Sequence, residues 1–251
     1  MYGGGSKKQG LSNAVSVGRF SSNLFQRKGE YNEPTAISIP QPPPPPPPPL
    51  SVIITFSTTA SANLSFYSSS VGYYILSDIN TAFRPGNVTI QNTLLNDTLS
   101  IYTDSLISID CDNCISVSSI NFHDVKKLVS VHCDFNVIST LDIKNVHQLT
   151  YLSCDFNAIS DLDLGNLTLL VGLSCTNNLI STLDITKLTH LTKFFCDNNN
   201  ITQLTADNIA IKLIQKRIFN GTLQITNQQG ENISKSGQLL ALQNKYGWII
   251  K

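Results

Sequence analysis

Residues 149–169 read LTYLSCDFNAISDLDLGNLTL, and the same phrase is written, imperfectly, on either side of them. Aligned on the first leucine, the copies begin at Leu106, Leu128, Leu149, Leu170 and Leu191, in steps of 22, 21, 21 and 21 residues. Apolar side chains fall at offsets 0, 3, 5, 10, 13 and 15 of a copy, and asparagine at offset 8. The second copy supplies Leu128, Val131, Cys133, Ile138, Leu141 and Ile143 with Asn136; the third supplies Leu149, Leu152, Cys154, Ile159, Leu162 and Leu164 with Asn157. A spacing of three and then two is that of a chain entering a strand and running along it, alternate residues facing one side. One copy cannot bury its own apolar edge. The copies therefore stack, strand beside parallel strand at about 4.8 Å, into a solenoid.

This pattern resembles the leucine-rich repeat, L-x-x-L-x-L-x-x-N/C-x-L, in its shortest class. The narrower phrase LxxLxCxxNxIxxLDL is similar to the repeats of bacterial internalin-like proteins and of relatives in Bacteroidetes and their phages. The resemblance covers residues 106–212, and the closing GWII at 247–250 extends it to the C-terminus. It implies a mainly β fold: a right-handed, β-rich solenoid with a small N-terminal β module and a C-terminal cap of helix and strand. The first copy departs from the pattern, with one extra residue and Cys114 where the others carry Asn136, Asn157, Asn178 and Asn199. Each of these asparagines is expected to turn inward, its amide satisfying backbone groups of the adjoining loop in a continuous row.

Cys111, Cys133, Cys154, Cys175 and Cys196 take offset 5, which the repeat consensus gives to leucine, so they are read as small hydrophobes filling the core. Disulfides between neighbouring turns would need converging side chains, whereas these run parallel. Zinc needs convergent ligands too, and His132 next to Cys133 faces the other side of its strand. CDNC at 111–114 looks like a redox pair, but the repeat accounts for both cysteines. No metal and no cofactor is expected.

Offsets 2, 4, 6 and 7 do not point inward and form the concave face. The first copy contributes Ser108, Asp110, Asp112 and Asn113, the second Ser130, His132, Asp134 and Phe135, the third Tyr151, Ser153, Asp155 and Phe156. Gly172, Ser174, Thr176 and Asn177 follow, then Lys193, Phe195, Asp197 and Asn198. Outward strand positions are polar in any solenoid, so the broken acidic row Asp112, Asp134, Asp155 and Asp197 carries little weight alone. Two exposed phenylalanines in register, Phe135 and Phe156, carry more. The face is read as a docking surface for a receptor protein or a glycan, with His132, Asp134, Phe135, Tyr151, Asp155, Phe156, Lys193, Phe195 and Asp197 as candidate binding residues. Calcium in the acidic row would lack the usual D-x-D-x-D-G loop. A second row, Asp142, Asp163 and Asp184, is expected to bond loop amides.

The flanking segments differ in composition. Residues 1–39 are rich in Gly, Ser and Asn and read as an extended arm, with Phe20, Leu24 and Phe25 as anchors for a partner. Residues 40–49 end in eight consecutive prolines, a stiff polyproline II spacer of roughly 25 Å, or alternatively a ligand for a proline-binding domain. Residues 50–105 alternate β-branched and aromatic residues with Ser and Thr, which predicts two or three strands, a turn at RPGN and two more strands, as a β module or N-terminal cap. Residues 106–204 hold the repeats. Residues 205–251 form the C-terminal cap, with Thr205 or Asp207 starting a helix, Ile211, Ile214 and Ile218 apolar, Gly221 as a stop, then a short helix, a strand, and Trp248 covering the core edge.

Charged residues are only 14% and the formal net charge is zero, which argues against a nucleic-acid partner held by bulk charge. The zero hides a pattern: residues 106–212 carry eleven Asp against six Lys, between basic ends. No run reaches the ~18 apolar residues of a membrane span, and the N-terminus does not read as a secretory signal. No G-x-S-x-G, Walker loop or H-E-x-x-H is present, so no enzyme is expected. The sequence is read first as a virion structural protein in a homo- or hetero-oligomeric assembly, anchored to capsid or tail components through residues 1–49 and presenting the repeats. A bacterial cell-surface or secreted adhesin or effector, and a cytoplasmic scaffold with a proline-rich ligand, are the alternatives.

Overall fold

The computed structural model describes residues 50–251 except 57–59, 71, 77–78, 84, 96–97, 104, 124 and 230. The expected arm with Phe20, Leu24 and Phe25, and the proline spacer, lie outside the described residues.

Six strands precede the repeats: β1 (Leu50–Phe56), β2 (Ala60–Ser68), β3 (Gly72–Leu76), β4 (Ile79–Phe83), β5 (Gly86–Leu95) and β6 (Thr98–Tyr102). The repeats contribute β7 (Leu106–Asp110), β8 (Val117–Phe122), β9 (Ser130–His132), β10 (Thr140–Asp142), β11 (Tyr151–Ser153), β12 (Gly172–Ser174) and β13 (Lys193–Phe195). Then follow α1 (Gln203–Gln215), β14 (Thr222–Gln224), β15 (Asn227–Gln228), β16 (Glu231–Asn232), α2 (Gly237–Tyr246) and β17 (Ile249–Ile250). A long sheet runs in the order β17-β14-β13-β12-β11-β9-β7-β2-β5, a shorter one in the order β10-β8-β1-β6-β3-β4, and β15 pairs with β16 alone.

The stacking register follows the repeat. Ile109, Val131, Leu152, Leu173, Phe194, Leu223 and Ile250 align as direct partners across parallel strands, and each is buried. Cys111, Cys133, Cys154, Cys175 and Cys196 form the next buried row, all with free thiols. Burial pushes each of these thiols well above its ordinary pKa, so they are neutral fillers rather than thiolates. A further apolar row, Val125, Val146, Leu167 and Leu188, lines the return turns at offset 18, or 19 in the longer first copy, and is likewise buried. Successive three-residue backbone turns hold it, such as Val146 N to Ile143 O at 3.3 Å and Leu149 N to Val146 O at 3.0 Å.

The strands of residues 50–105 join both sheets. β2 pairs antiparallel with β7, while β1 pairs antiparallel with β8, so the repeat core continues into them. Phe66 aligns with Ile109, and Ile54 with Ile120; all four are buried. The N-terminal edge of a parallel stack is thereby closed by antiparallel strands, which hydrogen-bond it without a crossover.

At the other end the helix starts earlier than Thr205 or Asp207. Thr202 is the N-cap of α1, its hydroxyl accepting from Thr205 N at 3.3 Å. The buried face is Ala206, Ile209, Ala210 and Leu213, whereas Ile211 and Ile214 are half-buried. Asp207 instead joins the two helices, accepting from Gln203 Nε2 at 3.1 Å and from the hydroxyl of Ser236, the N-cap of α2. Gly221 lies beyond the end of α1, where a Cβ would sit 2.5 Å from the Trp248 ring. Trp248 is buried and its indole N–H donates to Ile218 O at 2.8 Å, sealing the last turn.

Candidate functional site

The asparagine row is a hydrogen-bond ladder. Asn157 Nδ2 donates to Cys133 O of the turn before (2.9 Å) and to Cys154 O and Asp155 O of its own turn (both 3.1 Å). Its Oδ1 accepts from Ile138 N at 2.9 Å. Asn178 and Asn199 repeat the arrangement, accepting from Ile159 N and Ile180 N at 3.0 Å. Asn136 keeps the donor half, to Cys111 O at 2.8 Å, but its buried Oδ1 has no partner. In the first turn, which carries the extra residue, the Ser116 amide instead donates to Cys114 O at 2.6 Å, and Ile115 takes a left-handed φ of 50°.

The acidic row lies beside this ladder and is largely used by it. Asp134 accepts from Ser153 Oγ at 2.8 Å and from Asp155 N at 2.6 Å; Asp155 accepts from Ser174 Oγ at 2.7 Å and Thr176 N at 2.6 Å. Each carboxylate thus binds the next turn. Asp197, expected on the open face, is buried and takes Gln224 Nε2 at 2.7 Å. That corrects its reading as a docking residue, because the sixth turn covers it. Burial, and then neighbouring Asp134, lift the Asp155 carboxyl to about 6, against a lowering pull from Ser174 and Thr176. The outer row behaves as expected from its turn chemistry: Asp142, Asp163 and Asp184 accept from Lys144 N, Gly165 N and Thr186 N at 3.3, 2.9 and 2.8 Å.

Offset 7 is the most informative position. Asn113, Phe135, Phe156, Asn177 and Asn198 all have left-handed backbones, with φ of 55°, 56°, 54°, 57° and 53°. Asparagine is at ease there, but for other side chains the left-handed region costs roughly 1–2 kcal/mol. Phe135 and Phe156 therefore stand where the fold prefers asparagine, and they bury little in return: 45% and 46% of each remains exposed. Their rings stack on one another, centroids 4.4 Å apart and planes 11° apart.

Beside them on the strands, His132 and Tyr151 rings meet at 5.1 Å. The Tyr151 ring lies across Gly172, where a Cβ would fall 2.6 Å from Cδ2. Gly172 is thus the position that lets the ring fold down. Burial, followed by the charges of Asp134 and Asp155, raises the Tyr151 phenol above its ordinary value. Lys193 is exposed and Phe195 half-buried; Lys193 stands in the row of Ser130, Tyr151 and Gly172, and Phe195 in the row of His132, Ser153 and Ser174. The strand register thus places all of these on one sheet face, and Asp197 alone of the nine candidates is buried.

This arrangement belongs to a recognisable architecture. The chain folds as a leucine-rich-repeat solenoid. Among solved structures it is similar to the functional domain of InlJ from Listeria monocytogenes, described as including a cysteine ladder, with 24% identity and a TM-score of 0.39. The match covers 59% of this chain and 36% of that one, so this chain spans about a third of its length. No family model matches, and no curated protein does. The assignment rests on the register of the strands and the asparagine ladder, not on that likeness.

Two features escaped the sequence reading. Offset 9, just past the inward asparagine, forms an exposed apolar row of Ile115, Val137, Ala158 and Leu179 next to the stacked rings. Asn200 ends it, and the alternation of exposed and buried residues around each asparagine was the signal. The second is a sixth turn. TLQITNQ at 222–228 repeats YLSCDFN at 151–157, with Leu223 for Leu152, Ile225 for Cys154 and Gln228 for Asn157. Gln228 does the ladder's work, its Oε1 accepting from Asn199 N at 3.1 Å and its Nε2 donating to Cys196 O at 3.1 Å. The helix inserted before it stretches the step from Phe194 to Leu223 and hides the match. Among the described residues no three His, Cys, Asp or Glu side chains converge as metal ligands, and no helix is long and apolar enough to cross a membrane.

Proposed function

We propose that this chain is a non-enzymatic protein-binding solenoid whose docking surface is the ridge of Phe135 and Phe156 with Val137, Tyr151 and His132 beside it. One observation carries the reading: two phenylalanines occupy left-handed positions that asparagine fills in the other turns, and stay nearly half exposed. Among the described residues only the stacking of the two rings on each other offsets that backbone cost, whereas a partner burying both rings would repay it in full.

The setting we propose is a virion, with residues 1–49 joining the chain to capsid or tail components and the solenoid presented to a further protein. What supports it is the order of segments in the sequence: anchor-bearing arm, eight prolines, then a binding domain. The test separates the two parts. Phe135→Asn with Phe156→Asn leaves particle incorporation intact and weakens attachment to the partner about 100-fold, as loss of two aromatic anchors implies. Replacing Phe20, Leu24 and Phe25 by Ser has the reverse effect, removing the protein from purified particles. Unchanged attachment by the first variant would sink the docking surface; unchanged incorporation by the second, or absence of the native chain from particles, would sink the virion role.

A further inference from the structure

The ridge has a charge to match, concentrated at its first turn. Asp134 and Asp155 each take a serine hydroxyl from the following turn, but the position that would serve Asp112 is occupied by His132. Among the described residues Asp112 accepts the Asp134 amide, at 2.6 Å, and Asp110 the Asp112 amide, at 3.0 Å. The carboxyl of Asp112 is raised by burial and by the charges of Asp134 and Asp110, with the Asp134 amide and neighbouring His132 pulling the other way. An open hollow of about 260 Å³ beside Asp110 and Asp112 is completed by Leu64, Ser65 and Thr89. The outer face of the Phe135 ring, away from Phe156, is turned toward this same first turn, and Ile115 stands there exposed on its strained backbone.

We propose that the ridge takes an extended peptide segment in which arginine or lysine stands beside a large apolar residue. The cation is seated at Asp110 and Asp112, and the apolar side chain lies against Phe135, Val137 and Phe156. This rests on the docking reading above and adds the chemistry of the partner. Clustered carboxylates next to exposed apolar surface repel nucleic acid and anionic lipid, and they attract a cation carried on an apolar chain. The ring edges and the outer face of Phe135 together give an aliphatic or aromatic side chain a surface to lie against.

The test uses the full chain and three fluorescein-labelled nonapeptides: arginine alternating with leucine, arginine with serine, and glutamate with leucine. The first is expected to bind at least about tenfold tighter than either of the others, and to weaken as NaCl rises from about 50 to about 300 mM. Asp110→Asn with Asp112→Asn keeps the side-chain oxygens that cap the neighbouring amides, and should remove the preference for arginine and flatten the salt dependence. Failure of the arginine–leucine peptide to bind, or binding that ignores this variant, overturns the proposal. Equal binding of the arginine and glutamate peptides, both lost in Phe135→Asn with Phe156→Asn, would retain the docking surface and reject its charge selectivity.

Discussion

Asp155 shows how one residue type serves both the stack and its face. Its carboxylate is fixed by Ser174 and Thr176 of the next turn, yet burial lifts it to about 6. In the unfolded chain the same group titrates near the ordinary carboxylate value of 3.8. Between those values the folded state holds the extra proton, so Asp155 makes stability fall as pH rises through about 6 and recover as it drops toward 4. Asp112, also raised, acts in the same direction. Asp155→Asn keeps an acceptor oxygen for both donors and removes the charge. Its Tm is expected to exceed that of the parent at pH 8 and to converge on it near pH 4. Parallel Tm curves for the two proteins across that range would show that the carboxylate is not burdened by burial.

A turn of the solenoid is set by its asparagine more than by its leucines, because the leucine positions tolerate cysteine, isoleucine, valine and phenylalanine. Asn157 makes four bonds that tie three backbone segments, and no apolar residue of similar size can make any of them. Asn157→Leu leaves Ile138 N without its acceptor and takes one donor each from the Cys133 and Cys154 carbonyls, which keep Asn136 and Asn178, a loss of about 2–3 kcal/mol in urea unfolding. An unaltered midpoint would contradict the register. This explains why the repeats could be read from the chain: leucine spacing and asparagine are local, and each recurs every 21 residues from Leu128 onward. What could not be read was decided by tertiary contact. Asp197 looks like Asp134 in the sequence, and only the turn placed over it by Gln224 buries it. Gln228 replaces asparagine with a longer amide and follows a helix, so the period that exposes the other turns is broken there. The strands of residues 50–105 were legible as strands, but their division between two sheets depends on pairing partners far along the chain.

Across the whole described region, stability passes from turn to turn, because each repeat touches only its neighbours and the two ends must be closed by something else. At the N-terminal end β1 and β2 continue both sheets; at the C-terminal end Trp248 covers the last turn, wedged over Gly221 and bonded to Ile218 O. Trp248→Ala opens that end and is expected to cost about 3–5 kcal/mol locally. In a stack of nearest neighbours the loss is confined before it spreads. Amide exchange should therefore accelerate first in β17, α2 and β14, while β9, β11 and β12 keep their protection under conditions where the parent is folded. The docking ridge lies on those retained turns, so peptide binding at Phe135 and Phe156 should survive in the same sample. Uniform acceleration from β7 to β17, with binding lost in step, would mean that the molecule opens as one unit and that its end cap stabilises the ridge directly.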